Sequence, residues 1–267
     1  MIQKKYKTID QCHQFLQQQN NQANSNENIS IPFLQHFNTW RNLETVREFV
    51  TSPLMADMAR TLLDVPSIKL YQDSLFHKRQ NDGPTPWHSD ARMAPFDTSH
   101  MITFWIPLQN IPSVEEGGSG LMFVDKSHGD FALPFWNRVP KGDVGNGEDY
   151  DCKTGKVKYE ESREYERLDE RYSYGSGNDG VSSYMPMERG DCTVHAGWTL
   201  HSANGVKCET DRYALAVTYV DAQAEIREDA RMSSGSLGHD EDRKSYEDWI
   251  NEVRPRTYFE HSLVPII

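Results

Sequence analysis

The stretch RYALAVTYVDAQ, residues 212–223, decides the fold. Its centre, YALAVTYV, alternates with the two-residue period of a strand and is rich in the β-branched and aromatic residues that suit a pleated surface. Working outward, four more short runs have the same character: SIKLYQDSLFHKR (67–79), SHMITFWIPLQNI (99–111), GGSGLMFVDKSH (117–128) and RGDCTVHAGWTLHSA (189–203). Gly, Pro, Asn and Asp punctuate them. Several such strands in a chain of 267 residues predict a mainly β fold of sandwich or jelly-roll type.

One helix stands out before the strands. TVREFVTSPLMADMARTLLD (45–64) places Val46, Phe49, Val50, Leu54, Met58, Leu62 and Leu63 at helical spacing, with Asp64 and Pro66 as its end. This apolar face is expected to pack on a sheet. Residues 1–44 are expected to form a polar N-terminal extension, including the Gln/Asn-rich run QQQNNQANSNEN (17–28). Residues 45–267 are expected to form a single domain. Within it, residues from about 137 to 185 are charged and rich in Gly, Tyr and Ser, which predicts a long surface insertion of lid type. The tail HDEDRKSYEDWINEVRP (239–255) predicts one short helix before LVPII.

Composition narrows the function classes. Lys and Arg total 28 against 40 Asp and Glu, a formal charge of −12. An acidic chain with no basic patch repels phosphate backbones, so nucleic acid is not an expected partner. The four cysteines, Cys12, Cys152, Cys192 and Cys208, are far apart and form no CxxC pair. Zinc-ribbon and thioredoxin-type sites are therefore disfavoured, and reduced intracellular thiols are expected. No apolar run approaches the ~18 residues of a membrane span, and the N-terminal segment lacks an apolar signal core, so a soluble, cytoplasmic location is expected.

The polar residues within the strands suggest chemistry. In TPWHSDARMAP (85–95), His88 and Asp90 lie two positions apart, so a strand would set both on one face. An isolated HxD is common by chance, but a second segment, CTVHAGWTLHSANG, carries two further candidate ligands, His195 and His201. They are six positions apart, with a Gly197-Trp198 step that interrupts any shared strand, so spacing alone leaves both open. Two histidines and a carboxylate on one side of an ion form the facial arrangement of non-haem iron oxygenases, with positions left for a co-substrate and dioxygen.

Taken in order, LYQDSLFHKRQNDGPTPWHSD, FWIPLQNI, GGSGLMFVDKSHGDF, RGDCTVHAGWTLHSANG and DRYALAVTYVDA resemble the phytanoyl-CoA dioxygenase family, over roughly residues 45–265. The resemblance implies a double-stranded β-helix (jelly roll) core with flanking helices, and an enzyme dependent on Fe(II) and 2-oxoglutarate that releases succinate and CO2. It implies His88, Asp90 and His201 as metal ligands, because His201 precedes Arg212 by eleven positions, the family's spacing for the arginine that grips the far carboxylate of 2-oxoglutarate. His195 then becomes a pocket-wall residue. Trp105 and Lys78 match co-substrate pocket positions. Many members carry a serine two residues after the distal histidine. Ala203 stands there in this chain, so Ser202 or Thr103 is expected to supply that hydroxyl. The retained Asp90 favours hydroxylation over halogenation, since halogenating relatives replace this carboxylate with a small residue; desaturation or cyclisation stays open.

A small-molecule substrate is expected to touch Gln72, Ser74 and Phe76 on the strand before HxD, Arg92 and Met93 after it, His195, and the tyrosines Tyr172, Tyr174 and Tyr184 of the insertion. Two rivals remain: a jelly-roll protein that binds metal without catalysis, and a cupin-type metalloenzyme that uses no 2-oxoglutarate. Arg212 discriminates against the second, because such an enzyme needs no carboxylate clamp.

Overall fold

The computed structural model describes residues 33–129, 150–151, 156–157, 181–231 and 242–267. In chain order its elements are β1 (Leu34–Phe37), α1 (Glu44–Val50), α2 (Pro53–Leu63), β2 (Ile68–Lys78), β3 (Thr85–His88), the single turn α3 (Asp90–Met93), β4 (Phe96–Asp97), β5 (Met101–Pro107), β6 (Leu121–Val124), β7 (Tyr150–Asp151), β8 (Lys156–Val157), β9 (Val181–Ser183), β10 (Thr193–Ala196), β11 (His201–Ala203), β12 (Arg212–Asp221) and β13 (Glu225–Ile226). The 212–223 stretch supplies β12, the middle strand of a five-stranded antiparallel sheet ordered β1-β2-β12-β5-β10. A second antiparallel sheet, ordered β3-β11-β6-β9, faces it. This is the expected mainly β jelly roll.

The alternation along β12 sorts its side chains between two cores. Leu215, Val217 and Tyr219 point outward and pack with Leu70, Phe104, Val50, Met55, Ala56 and Ala59, so the helical segment covers the outer face of the large sheet. Ala214 and Ala216 point inward, toward Trp105, Leu121, Phe123, Met187 and Ala203, and so line the space between the two sheets. A third cluster, built around Tyr71, Phe96, Trp249 and Phe259, closes one end of the roll with the C-terminal segment. Buried Lys69 ties that segment down: its Nζ donates to Ala222 O at 2.6 Å and lies 4.0 Å from the centre of the Phe259 ring.

Four expectations need correction. The helix expected over 45–64 is two helices. Ser52 caps the second by accepting from Met55 N, and Pro53 occupies its first turn, so the helical phase restarts. The restart turns Met55, Ala56 and Ala59 inward and leaves Leu54 68% and Leu62 56% exposed, with Phe49 and Met58 also on the surface. Secondly, the expected extension does not stop outside the fold at residue 44: Leu34–Phe37 pairs with β2. Buried Asp73 on β2 holds the turn that follows β1, accepting from Thr39 N, Thr39 Oγ1 and Trp40 N. Thirdly, the described part of the tail forms two short 3-10 turns, Asp242–Ser245 and Ile250–Glu252, rather than one α-helix. Finally, residues 181–185 of the expected insertion carry β9, which extends the smaller sheet. Most of that insertion, Tyr172 and Tyr174, the Gln/Asn-rich run, Cys12 and Cys152 lie outside the described residues.

Candidate metal centre

His88 ends β3 and His201 begins β11, and the two face each other across that antiparallel pair. Their rings lie 4.2 Å apart, centre to centre. Asp90 does not share a strand face with His88, as the two-residue spacing suggested. The strand stops at His88, Ser89 stays extended, and Asp90 opens the turn α3. That turn is pinned where Ala91 N donates to Gly197 O at 2.8 Å. The side chains of His88, Asp90 and His201 converge all the same: one ligand atom from each lies within 4.8 Å of the others, close enough to share one ion.

The hydrogen bonds fix which atoms face that point. His88 Nδ1 lies 2.8 Å from Pro86 O, and His201 Nδ1 lies 2.9 Å from Thr199 O. A carbonyl can only accept, so both Nδ1 atoms carry protons, the tautomer that in a neutral ring leaves Nε2 bare. Asp90 Oδ1 lies 3.8 Å from His88 Nε2 and 3.6 Å from His201 Nε2. Asp90 Oδ2 is turned away, accepting from Thr103 Oγ1 at 2.6 Å, with His195 Nε2 at 3.2 Å. Burial alone raises the pKa of Asp90, but His201, His195 and His88 outweigh it and hold the carboxyl well below the usual carboxylate range. Burial, reinforced by the neighbouring rings of His88 and His195, holds His201 well below the ordinary histidine value. An ionised carboxylate beside a neutral imidazole is the protonation state that metal binding requires.

His195 and His201 belong to different sheets, since the chain leaves β10 at Ala196 and crosses to β11. Gly197 makes the crossing: its N donates to Met101 O at 2.7 Å, and a Cβ there would lie 2.9 Å from the Met101 side chain. His195 is thereby left on the large sheet, one hydrogen bond behind the carboxylate.

The inner face of the large sheet carries most of the other expected residues in rows. Gln72, Thr218, Thr103 and His195 form one row; Ser74, Ala216, Trp105 and Thr193 the next; Phe76 and Ala214 another; and Lys78 with Arg212 the last. Arg212 is 3% exposed, and its Nε and Nη1 are buried without a hydrogen-bond partner. Its guanidinium carbon sits 5.4 Å from the centre of the Trp105 ring, so the side chain leans along the strand toward the metal end. Ala214 and Ala216 keep that path clear of bulk. Burial pulls the Arg212 pKa down to about 10. Lys78 is buried beside it, its Nζ donating to Asn204 O at 3.1 Å, and burial together with Arg212 lowers its pKa to about 7.

Other expected residues do not converge on this site. Ser202 follows His201 on β11, so strand alternation turns its side chain to the opposite face. Thr103 is in place, but its proton goes to Asp90. Arg92 and Met93 lie on α3, half-buried. Neither they nor Gln72, Ser74 and Phe76 line the adjoining cavity of about 570 Å³. That cavity lies between β10 and the β6–β9 edge, with Phe123, Tyr184, Met187, Thr193 and His195 among its walls. Sequence reading missed the carbonyls of Pro86 and Thr199. Each precedes its histidine by two residues, but a backbone acceptor leaves no mark in residue type.

Fold and site together define a jelly-roll protein with two histidines and one carboxylate disposed to hold a metal ion. A family model for phytanoyl-CoA dioxygenase (PhyH) matches residues 3–214, and the chain belongs to that family. Solved structures give the same fold at low identity. One is the non-heme alpha ketoglutarate dependent carbocyclase SnoK from nogalamycin biosynthesis, with TM-score 0.61, 17% identity and coverage of 98% of this chain and 88% of that one. Another is the epimerase SnoN of the same biosynthesis, with TM-score 0.58, 19% identity and coverage of 97% and 89%. A third is EctD from S. alaskensis, solved with 2-oxoglutarate and 5-hydroxyectoine, with TM-score 0.52, 16% identity and coverage of 82% and 71%. No curated protein matches the chain at a significant level.

Proposed function

We propose that this protein is an Fe(II)- and 2-oxoglutarate-dependent oxygenase acting on a small organic molecule. The observation that carries the reading is Arg212, a buried guanidinium with unpartnered Nε and Nη1 that lies over the Trp105 ring, on the same inner face of the large sheet as Thr103 and His195, which contact Asp90. A buried cation without a counter-charge is costly to keep, and a carboxylate that it could grip through two parallel hydrogen bonds resolves the cost. The donor set suits iron: two imidazoles and one carboxylate leave positions open opposite them. His88, Asp90 and His201 would hold the ion, and Arg212, with Lys78 behind it, would hold the far carboxylate of 2-oxoglutarate.

When bound, iron and 2-oxoglutarate supply oxidation of the substrate by dioxygen, with loss of succinate and CO2. The chain's own residues orient the reactants and exclude water. Trp105 forms one wall of the co-substrate path. Phe123 packs against the rings of both His195 and His201 and shields them from solvent. The substrate would enter the cavity of about 570 Å³, which reaches the metal's carboxylate through His195. Tyr184 and Met187 offer it apolar contact there. With Asp90 present as an ionised ligand, hydroxylation is the favoured outcome. The test is coupled turnover: with Fe(II), 2-oxoglutarate and a panel of metabolites under air, one compound should raise succinate release well above the substrate-free rate and gain one oxygen atom by mass. Succinate release that no compound stimulates, and that is equal in His201→Ala, would reject the reading.

A further inference from the structure

We infer that His195 is a positioning residue that, together with Thr103, holds Asp90 to the metal through one oxygen only; the inference rests on the metal reading above. Both donors come from a single cross-strand pair, since His195 on β10 faces Thr103 on β5. Thr103 Oγ1 donates to Asp90 Oδ2 at 2.6 Å, and His195 Nε2 lies 3.2 Å from the same oxygen. A hydroxyl has one proton. With that of Thr103 committed to Asp90, the 3.1 Å contact between Thr103 and Thr218 must be donated by Thr218. Thr218, Thr103 and Asp90 therefore form a directed chain, closed from the other side by His195.

The consequence is an asymmetric carboxylate. Oδ1 faces the Nε2 atoms of both ligand histidines, while Oδ2 is occupied by two donors on the sheet. A carboxylate without those donors could turn and bind an ion through both oxygens, closing a position that the co-substrate needs. His195 is 6% exposed, and a hydrogen bond to an ionised acceptor is strong in such buried surroundings. A ring that spends its Nε2 proton on Asp90 cannot offer that nitrogen to the ion. This separates His195 from His201, whose Nε2 is bare because its proton sits on Nδ1 against Thr199 O.

The test is anaerobic titration of the full-length protein with Co(II) and with Fe(II), together with the Co(II) absorption spectrum and thermal melts. His195→Leu should weaken metal affinity roughly 10- to 100-fold, the usual effect of losing a residue that orients a ligand. It should also change the intensity of the Co(II) bands, while the far-ultraviolet dichroism stays that of the parent. His195→Gln returns an N–H near the place of Nε2 and should restore affinity to within about threefold of the parent. Thr103→Val should weaken affinity and Thr103→Ser should not; this pair, with His195→Gln, carries the test if His195→Leu does not fold. Parental affinity and spectrum in both His195→Leu and Thr103→Val would overturn the positioning role. Total loss of metal in both His195 variants, with His201→Ala still binding, would make His195 a ligand and also overturn it. A parent protein that binds neither metal would instead remove the reading on which the inference rests.

Discussion

Replacing Arg212 with Met should push stability and binding in opposite directions. Burial lowers the Arg212 pKa from 12.5 to about 10, and no acid offsets the shift. At about 1.4 kcal/mol per unit, the folded protein without ligand pays roughly 3 kcal/mol to keep this guanidinium charged. Methionine fills most of the volume of the stem beside Trp105 and carries no charge. Arg212→Met should therefore stabilise the metal-free protein by up to ~3 kcal/mol, a rise in Tm of at most roughly 6–12 °C for a domain of this size. The same change removes both donors offered to 2-oxoglutarate. Truncating one side of a buried, hydrogen-bonded charge pair costs about 2–5 kcal/mol, which is at least a ~30-fold loss of affinity. Thermal melts with and without 2-oxoglutarate, in the presence of Mn(II) and without air, read both effects. The parent should gain about 2.7 kcal/mol at a co-substrate concentration of 100 Kd, while the variant starts higher and gains little at that concentration. A variant that melts lower than the parent yet keeps its response to 2-oxoglutarate would show that Arg212 is a structural cation, and the reasoning would fail.

Four further outcomes follow from the same structure. Lys78, with its pKa lowered to about 7, should make the ligand-free protein more stable as pH rises from 7 toward 9, because the unfolded chain still holds a proton that folded Lys78 has released; Lys78→Met should flatten that slope in pH-dependent melts. Calorimetry at pH 8 in buffers of different ionisation heat should also show uptake of about one proton when 2-oxoglutarate binds to the parent, and none in Lys78→Met. Asp73→Asn replaces an acceptor with a donor facing Thr39 N or Trp40 N, and denaturant unfolding should record a loss of about 1–3 kcal/mol. On α2, Leu54→Ser should lie within about 0.5 kcal/mol of the parent, whereas Met55→Ala should cost about 2–5 kcal/mol; the reverse order would restore the unbroken helix face.

The strands were legible because their composition is local: β2, β5 and β12 are each short runs rich in β-branched and aromatic residues, YALAVTYV on β12 alternates as well, and pairing the three side by side yields the inner face that holds Trp105, Lys78 and Arg212. The buried face of the helices was not legible. Leu54, Met58 and Leu62 keep a perfect four-residue spacing, but Ser52 and Pro53 restart the helix and turn that stripe to solvent. The two-residue spacing of His88 and Asp90 points to a shared strand face, but Asp90 reaches the site from a turn rather than from the strand. Spacing could not choose between His195 and His201. The choice depends on a glycine crossover between sheets and on two backbone carbonyls that fix ring protons. Ser202 cannot share the face of His201, because alternation on β11 turns it away. The unpartnered burial of Arg212 appears only once the sheets enclose it.

The proposed site is an iron ion held by His88, Asp90 and His201, with 2-oxoglutarate bound to it and anchored by Arg212. The most direct measurement is the visible absorption of the protein mixed without air with Fe(II) and 2-oxoglutarate. The parent should show the weak charge-transfer band of the iron chelate, His201→Ala should lose it, Arg212→Met should lose it at the same 2-oxoglutarate concentration, and His195→Ala should regain it when more iron is supplied. Absence of the band in the parent, or a band abolished in His195→Ala at any iron concentration but intact in His201→Ala and Arg212→Met, would contradict it.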